Sequence, residues 1–266
     1  MTDPDFAYTA LIRTNRVDHN LGEVVTALRA QTMPPAEILL VDSSGQEDVT
    51  RALSAFGRVV PYGDRDFNYS RAVNVGMAEV KTPYALVISS HTVPARRDLI
   101  ETGWSAARDA AASVLYWSPL PDALPGRDNA IINRITVRSF TGKNGFSNSM
   151  GMLPTDQAIA HPFREEVPAS EDQEWAKRYF ERNRDAVIIG VTDPDLFYRN
   201  PVIADEKKRA DKYVLEEVSY LRHIAAPRKI PVEVAARLAR SALALVRGRR
   251  VRAAAHARIV IGYFRR

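Results

Sequence analysis

Glu37-Ile38-Leu39-Leu40-Val41-Asp42, followed by Ser43-Ser44-Gly45, is the stretch that decides the fold. It reads as a strand that is nearly all apolar, which suits a parallel sheet covered on both faces. The Ser-Ser-Gly segment turns the chain at its end. Upstream, Tyr8–Arg13 is a buried first strand. Asn20 can cap the next helix, with Glu23 at its third position and Leu21, Val24, Val25 and Leu28 on one apolar face. Pro34-Pro35 ends that unit. Downstream come a short helix to about Phe56, a short strand at Val59-Val60 and a helix over Ser70–Val80. A buried strand at Tyr84–Ser89, a helix over Asp98–Ala112 and a strand at Ser113–Ser118 follow.

This alternation predicts an open, mainly parallel α/β sheet. Ligands of such sheets bind beyond the carboxyl ends of the strands. The polar residues there are Arg13, Asn15 and Arg16, then Asp42, Ser43 and Ser44, then Ser89, Ser90 and His91. They are expected to converge on one crevice.

From about Pro119 to Ser149 the alternation lapses. Pro119, Pro121, Pro125, Gly126, Gly142 and Gly145 punctuate a long loop with one strand near Ile135–Val137. A short helix follows Thr155, and a strand is expected at Ala186–Val191. Between them, Pro168-Ala169-Ser170-Glu171-Asp172-Gln173-Glu174-Trp175-Ala176 reads as a helix start. Ser170 is its N-cap, Gln173 completes a capping box, and Trp175, Ala176 and Tyr179 form the buried face. Glu171 and Asp172 fall in the first turn. There they either complement the helix dipole or supply a base on a rigid helix end.

The chain has 266 residues, enough for one large domain or a domain with an appendage. It has no cysteine, so it holds no disulfide, thiolate zinc site or cysteine nucleophile. Thr2-Asp3-Pro4-Asp5 is not the start of a signal peptide. No apolar run approaches the roughly 18–20 residues needed to span a bilayer. A dinucleotide G-x-G-x-x-G after the first strand, a P-loop and a G-x-S-x-G elbow are all missing, and the five histidines show no metal spacing. The net charge of +5 is uneven. Residues 1–204 carry 21 basic and 26 acidic side chains, and residues 205–266 carry 16 and 6.

Several stretches together resemble family 2 glycosyltransferases of the GT-A fold. They are Leu28-Arg29-Ala30-Gln31-Thr32 with Pro35–Ser44, Phe67–Gly76, Leu86–Pro94, Phe146–Ser149 with His161-Pro162-Phe163, and Glu171–Ala176. The resemblance covers roughly residues 8–200 and is nearest to the bacterial rhamnosyltransferase-like branch of surface polysaccharide synthesis. It implies an α/β, Rossmann-like, open, mainly parallel sheet with helices on both faces, here with a C-terminal helical tail. It implies an inverting transfer of a sugar from a nucleotide-sugar donor to a glycan or lipid-linked glycan. Asp172 matches the general base, which takes the acceptor hydroxyl proton. Asp42 matches the acid that contacts the nucleotide base. Arg71 and Asn74 match the helix lining the donor pocket, and Arg13, Asn15, Ser90, His91 and Arg199 join the donor side. Asn148, Glu171 and Trp175 fall on the acceptor side, with Trp175 open to a second reading as core.

Two departures bear on the cofactor. His91 stands where the family carries a metal-binding acid, and Phe197-Tyr198-Arg199-Asn200 offers arginine where the family often has histidine. Mg²⁺ prefers oxygen ligands and Mn²⁺ tolerates imidazole, so His91 is the only metal-ligand candidate. A fixed guanidinium could neutralise the leaving diphosphate instead. Metal independence is therefore the favoured expectation, with Arg199 and His91 in the metal's place. The same departures leave a non-catalytic GT-A-like scaffold or binding subunit as the alternative. A sugar-nucleotide pyrophosphorylase is disfavoured by the missing Gly-rich signature.

The division expected is a catalytic domain over residues 1–204 and a basic helical extension over 205–266. Asp205–Arg222 reads as a solvated helix. After Pro227 and Pro231, Val234, Leu238, Ala242, Leu245 and Val246 mark an apolar stripe widened by Leu243, with Arg237, Arg240, Arg247, Arg249 and Arg250 largely outside it. Such a tail suits an anionic membrane surface, or else packs on the body or on a second subunit. No nucleic-acid module accompanies the charge, so nucleic acid is not expected as a partner. The expected location is cytoplasmic, extending to a peripheral place on the inner face of the cell membrane. Oligomeric state stays open.

Overall fold

The computed structural model of the chain describes residues 6–63, 66–120, 129–199 and 205–265. The loop signals at Pro121, Pro125 and Gly126, the expected boundary at residue 204, and Asn200 lie outside the described residues. Strands β1 (Tyr8–Thr14), β2 (Glu37–Asp42), β3 (Arg58–Pro61) and β4 (Tyr84–Ser89) pair in parallel in the order β3-β2-β1-β4. The sheet continues through β8 (Met150–Pro154), β6 (Val114–Pro119), β9 (Ile188–Asp193) and β7 (Ile131–Ile135), giving eight strands. Strand β8 is antiparallel to both β4 and β6, and β7 is antiparallel to β9. The mainly parallel expectation therefore holds, with two antiparallel strands added.

Alternation along the central strands divides the core into two layers. Ile12, Leu40, Leu86 and Ile88 face helices α1 (His19–Arg29) and α4 (Leu99–Asp109). Leu11, Leu39, Val41 and Val87 face α3 (Tyr69–Met77) and α6 (Glu171–Arg182). Helices α2 (Glu47–Leu53) and α5 (Thr155–Ala160) are short. Gly76 lets α3 approach the sheet, since a Cβ there would lie 2.5 Å from Leu11 Cδ1.

Strand β8 was hidden in the sequence because Met150-Gly151-Met152-Leu153-Pro154 is short and lacks β-branched residues. It matters for the site. Running antiparallel, it starts at the edge where β4 ends, so Ile88 pairs with Met150 and the Ser89 N–H donates to the Ser149 carbonyl. The loop strand expected near Ile135–Val137 is instead Ile131–Ile135. Two three-residue strands, β5 (Thr92–Pro94) and β10 (Leu196–Tyr198), form a separate antiparallel pair.

Two capping expectations are corrected. Asp18, not Asn20, caps α1 through the Leu21 N–H, and Glu23 pairs with His19 and Arg199. Ser170 precedes α6 in a left-handed conformation (φ 56°, ψ 29°), and its side chain makes no cap. The Gln173 side chain is drawn away to the Gly145 N–H and the Phe146 carbonyl, so no capping box forms.

The tail consists of α7 (Glu206–Ser219), a π-helical turn at Tyr220–Ile224, α8 (Ile230–Val246) and α9 (Arg250–Phe264). Val214, Tyr220, Leu221, Ile224, Ala255 and Ile259 make a small core of their own. The solvated reading of α7 is overturned. Glu217 is buried among Lys143 and Arg237, and the Ser219 hydroxyl donates to the Ala169 carbonyl. These ties hold α7 on the body.

Candidate active site

Arg13 ends β1 with its side chain nearly buried. Its Nη2 donates to the Asn148 carbonyl at 3.0 Å, and its Nη1 lies 4.0 Å from Glu171. The guanidinium carbon sits 5.4 Å from the centre of the Tyr69 ring. Arg13 Nε and Nη1 find no acceptor among the described residues. Arg13, Tyr69, Ser89 and His91 are shared by two lobes of one cleft, of about 660 Å³ and 590 Å³.

The larger lobe is rich in carboxylates. Asn148, Glu171 and Asp172 meet Lys212, Glu216 and Glu217 of α7 there. Asp172 Oδ2 accepts the Asn148 N–H at 3.2 Å and Oδ1 accepts the Gln173 N–H at 2.8 Å. Burial, aided by the Glu171 carboxylate, pushes the Asp172 carboxyl up to about 7, against the pull of those two N–H groups. Asn148 Nδ2 donates to Glu171 Oε1 at 3.0 Å and so fixes that carboxylate beside Arg13. Burial also raises the Glu216 carboxyl, with Lys212 opposing. The left-handed Ser170 just before this pair is the kind of backbone departure that collects at working sites.

The smaller lobe is cationic. Arg13, Arg16 and Lys208 line it with Asn15, Ser90 and His91, and no carboxylate is among its described lining residues. Burial, then the nearby Arg13 charge, lowers the His91 imidazole to about 4, so it is neutral at pH 7. Its Nε2 is buried without a hydrogen-bond partner among the described residues. The pairing of β5 with β10 brings Tyr198 edge-on to His91 at 4.8 Å.

The donor set of the cleft does not suit a divalent metal. Among the described residues no group of three or more His, Asp or Glu side chains could hold an ion. One neutral imidazole with guanidinium and ammonium neighbours does not fit Mg²⁺ or Mn²⁺, which want carboxylate or several neutral donors.

The structure gathers Arg13, Asn15, Ser90, His91, Asn148, Glu171 and Asp172 in this cleft. Five other expected residues lie elsewhere. Asp42 is buried at the end of β2, its oxygens taken by the Ser44 N–H and the Thr50 hydroxyl, so it shapes the turn before the cleft-lining Ser43. Arg71 pairs with Glu165. The Asn74 amide clamps the Phe163 backbone from both sides, at 2.7 and 3.0 Å. Both therefore fasten the 161–168 loop to α3. Trp175 is fully buried, stacked on Tyr179 and donating to the His161 carbonyl, which settles it as core. Arg199 pairs with Glu23 at 3.1 Å and is not among the residues that line either lobe. Sequence reasoning missed Tyr69, Lys208, Lys212 and Glu216. Lys212, Glu216 and Tyr220 recur every four residues on one helical face, but a face of mixed charge resembles one that meets only water.

The glycosyl transferase family 2 model matches residues 11–150. No curated protein matches the chain. Among solved structures, the mannosyltransferase PcManGT from Pyrobaculum calidifontis, in complex with GDP-Man and Mn²⁺, is 14% identical with a TM-score of 0.61, covering 98% of this chain and 87% of that one. TarS of S. aureus is 12% identical with a TM-score of 0.56, covering 97% of this chain. The chain spans only 54% of the length of that TarS chain. Glucosyl-3-phosphoglycerate synthase from Mycobacterium tuberculosis, with Mn²⁺, UDP-glucose and phosphoglyceric acid, is 11% identical with a TM-score of 0.54 and covers 80% and 79%. At such identities these likenesses speak to the fold alone. The family match spans more than half of the residues, over the same strands whose ends build the cleft, and the chain belongs to glycosyl transferase family 2 with the GT-A fold.

Proposed function

We propose that this protein is an inverting glycosyltransferase that moves a sugar from a nucleotide-sugar donor to a hydroxyl of a glycan or lipid-linked glycan. The observation that carries the reading is the junction of the lobes. A carboxyl poised near neutrality stands on one side of Arg13, and a carboxylate-free cationic pocket lies on the other. The cationic lobe holds the donor diphosphate through Arg13, Arg16 and Lys208, and Tyr69 walls it. The carboxylate lobe holds the acceptor. Asp172 takes the proton as the acceptor oxygen bonds to the anomeric carbon. The bond from that carbon to the diphosphate breaks on the opposite face, and the charge it leaves is met by these cations, of which Arg13 is held in place by its bond to the Asn148 carbonyl. Glu171 and Asn148 orient Arg13 and Asp172. The transfer does not require a metal, and Arg13 takes the part first expected of Arg199.

We place this proposed transfer in surface polysaccharide synthesis of the rhamnosyltransferase-like kind, in the cytoplasm against the inner face of the cell membrane, on the sequence resemblance alone. Residues 1–204 form the catalytic unit and 205–266 an extension that completes the acceptor lobe through α7.

A thermal-shift panel of nucleoside diphosphates and nucleotide sugars, with and without Mn²⁺, tests the reading. A ligand that binds the native state raises the melting point with its affinity. A shift with one nucleotide and no metal is expected. A shift only with Mn²⁺ refutes the metal-free donor site. No shift with any nucleotide favours the scaffold alternative, which the histidine at position 91 keeps in view.

A further inference from the structure

Helix α8 carries its polarity the wrong way round for a helix packed on a protein. Its buried residues are Arg237 and Ala244. The Arg237 guanidinium pairs with Glu217 of α7 and with Glu233. Leu238, Leu243, Leu245 and Val246 are exposed instead, Val246 at 86%. At about 3.6 residues per turn, Leu238, Ala242, Leu245 and Val246 share one face. Exposed Val251, Ile261 and Phe264 of α9 add to the apolar surface of the tail. The apolar stripe legible in the sequence is therefore real, but it does not pack on the body.

The charge around this face has one sign. Beyond Glu233 the chain holds nine arginines and no acidic residue. Arg247, Arg249, Arg250 and Arg252 cluster, exposed, at the turn between α8 and α9, which Gly248 makes with a φ of 68°. A second copy would bring no carboxylate from beyond its own Glu233 to meet these arginines. A nucleic acid would leave the leucines in water. An anionic lipid surface satisfies both at once, taking the apolar side chains into the acyl boundary and the guanidiniums among the headgroups.

We infer that the outer face of α8, together with the arginine turn at residues 247–252, lies on an anionic bilayer. The contact is interfacial, since among the described residues no helix is long and apolar enough to cross a membrane. Its consequence follows from α7. Lys212 and Glu216 line the carboxylate lobe, while Glu217 of the same helix holds Arg237 of α8. The lobe assigned to the acceptor is thus walled by a helix, α7, that is itself tied to the lipid-facing α8, which suits a lipid-linked acceptor. This last step rests on the proposed reaction, and the membrane contact itself does not.

The test is co-sedimentation of the full chain with mixed phosphatidylglycerol–phosphatidylcholine vesicles and with phosphatidylcholine vesicles. Partition is expected only onto the anionic vesicles, and it should weaken with added salt. The double variants Leu238→Glu/Leu245→Glu and Arg249→Glu/Arg250→Glu alter exposed side chains, so the fold is kept, and each should weaken partition by at least about tenfold. Their melting-point shifts with nucleotide should match the wild type, which separates this inference from the donor reading. Absence of partition, or equal partition onto both vesicles, overturns the inference. So does a concentration-dependent dimer that Leu238→Glu/Leu245→Glu abolishes, because it gives the face to a second copy.

Discussion

The two lobes of the cleft are made from different parts of the fold. The cationic lobe is built mostly at the carboxyl ends of β1, β2 and β4, where parallel pairing sets Arg13 beside Ser89 and Thr14 beside Asp42, one residue before Ser43. The carboxylate lobe is built from the start of α6, the loop before β8 and one face of α7. The first is held by a hydrogen-bonded sheet. The second depends on side-chain ties, chiefly Asn148 to Glu171 and the buried Glu217 to Arg237 and to the exposed Lys143. The lobe proposed to hold the donor diphosphate thus rests on hydrogen-bonded sheet. The lobe proposed to hold the acceptor rests on a helix start, a loop and an added helix.

The sharpest way to break this comparison is Asp172→Asn. If the carboxylate lobe supplies the base, kcat should fall about 10²–10⁴-fold while the donor-induced melting shift stays, and a normal kcat would remove Asp172 from the chemistry. In the wild type, activity should rise with pH through about 7 as the acid ionises. The sign for stability is opposite. A carboxyl raised in the folded state contributes stability that is complete below the ordinary carboxylate range and is lost as pH climbs through about 7. Asp172→Asn should therefore melt higher than wild type above about pH 7, with the difference shrinking toward about pH 4. A stability difference between variant and wild type that does not change between about pH 4 and 7 contradicts the raised carboxyl.

Arg13→Met comes next, because Arg13 serves both lobes. Loss of one preorganised cationic donor should lower kcat/KM about a hundredfold. Donor affinity should also fall, and a change confined to acceptor KM would place Arg13 in one lobe only. Arg237→Leu tests the tie behind α7. Removing one partner of a buried ion pair should cost about 2–3 kcal/mol in a urea melt, since Glu217 keeps Lys143. It should also raise the acceptor KM without moving donor affinity, and equal effects on both would mean that the lobes are not independent. The smallest expected effect is that of Arg199→Ala. With its guanidinium on Glu23, donor affinity measured by calorimetry should not change, whereas a clear loss would restore Arg199 to the diphosphate.

The divide between legible and hidden parts follows the range of the forces involved. The strands Glu37–Asp42 and Tyr84–Ser89 have the bounds their apolar runs predict, because burial on both faces leaves a local record. The order of Phe146–Ser149 and Glu171–Ala176 pointed to Asp172, Glu171 and Asn148, and the structure does bring these three together. Arg71, Asn74 and Arg199 carried the right chemistry at the right spacing, yet nearby partners at Glu165, Phe163 and Glu23 take their side chains. Such competition is decided by which segments the fold brings alongside, and a sequence pattern cannot express it.

The amino-acid sequence by itself determined the mainly parallel sheet, the line of polar residues at its strand ends and the split between a mildly acidic body and a basic tail. Periodicity and charge count are properties of neighbours along the chain. Only the tertiary structure decided that Arg13 joins two lobes, that α7 walls the cleft and that α8 buries an arginine while exposing its leucines. Those outcomes turn on contacts between segments far apart in sequence, where a buried Glu217 outweighs the helix's own preference for turning its apolar face inward.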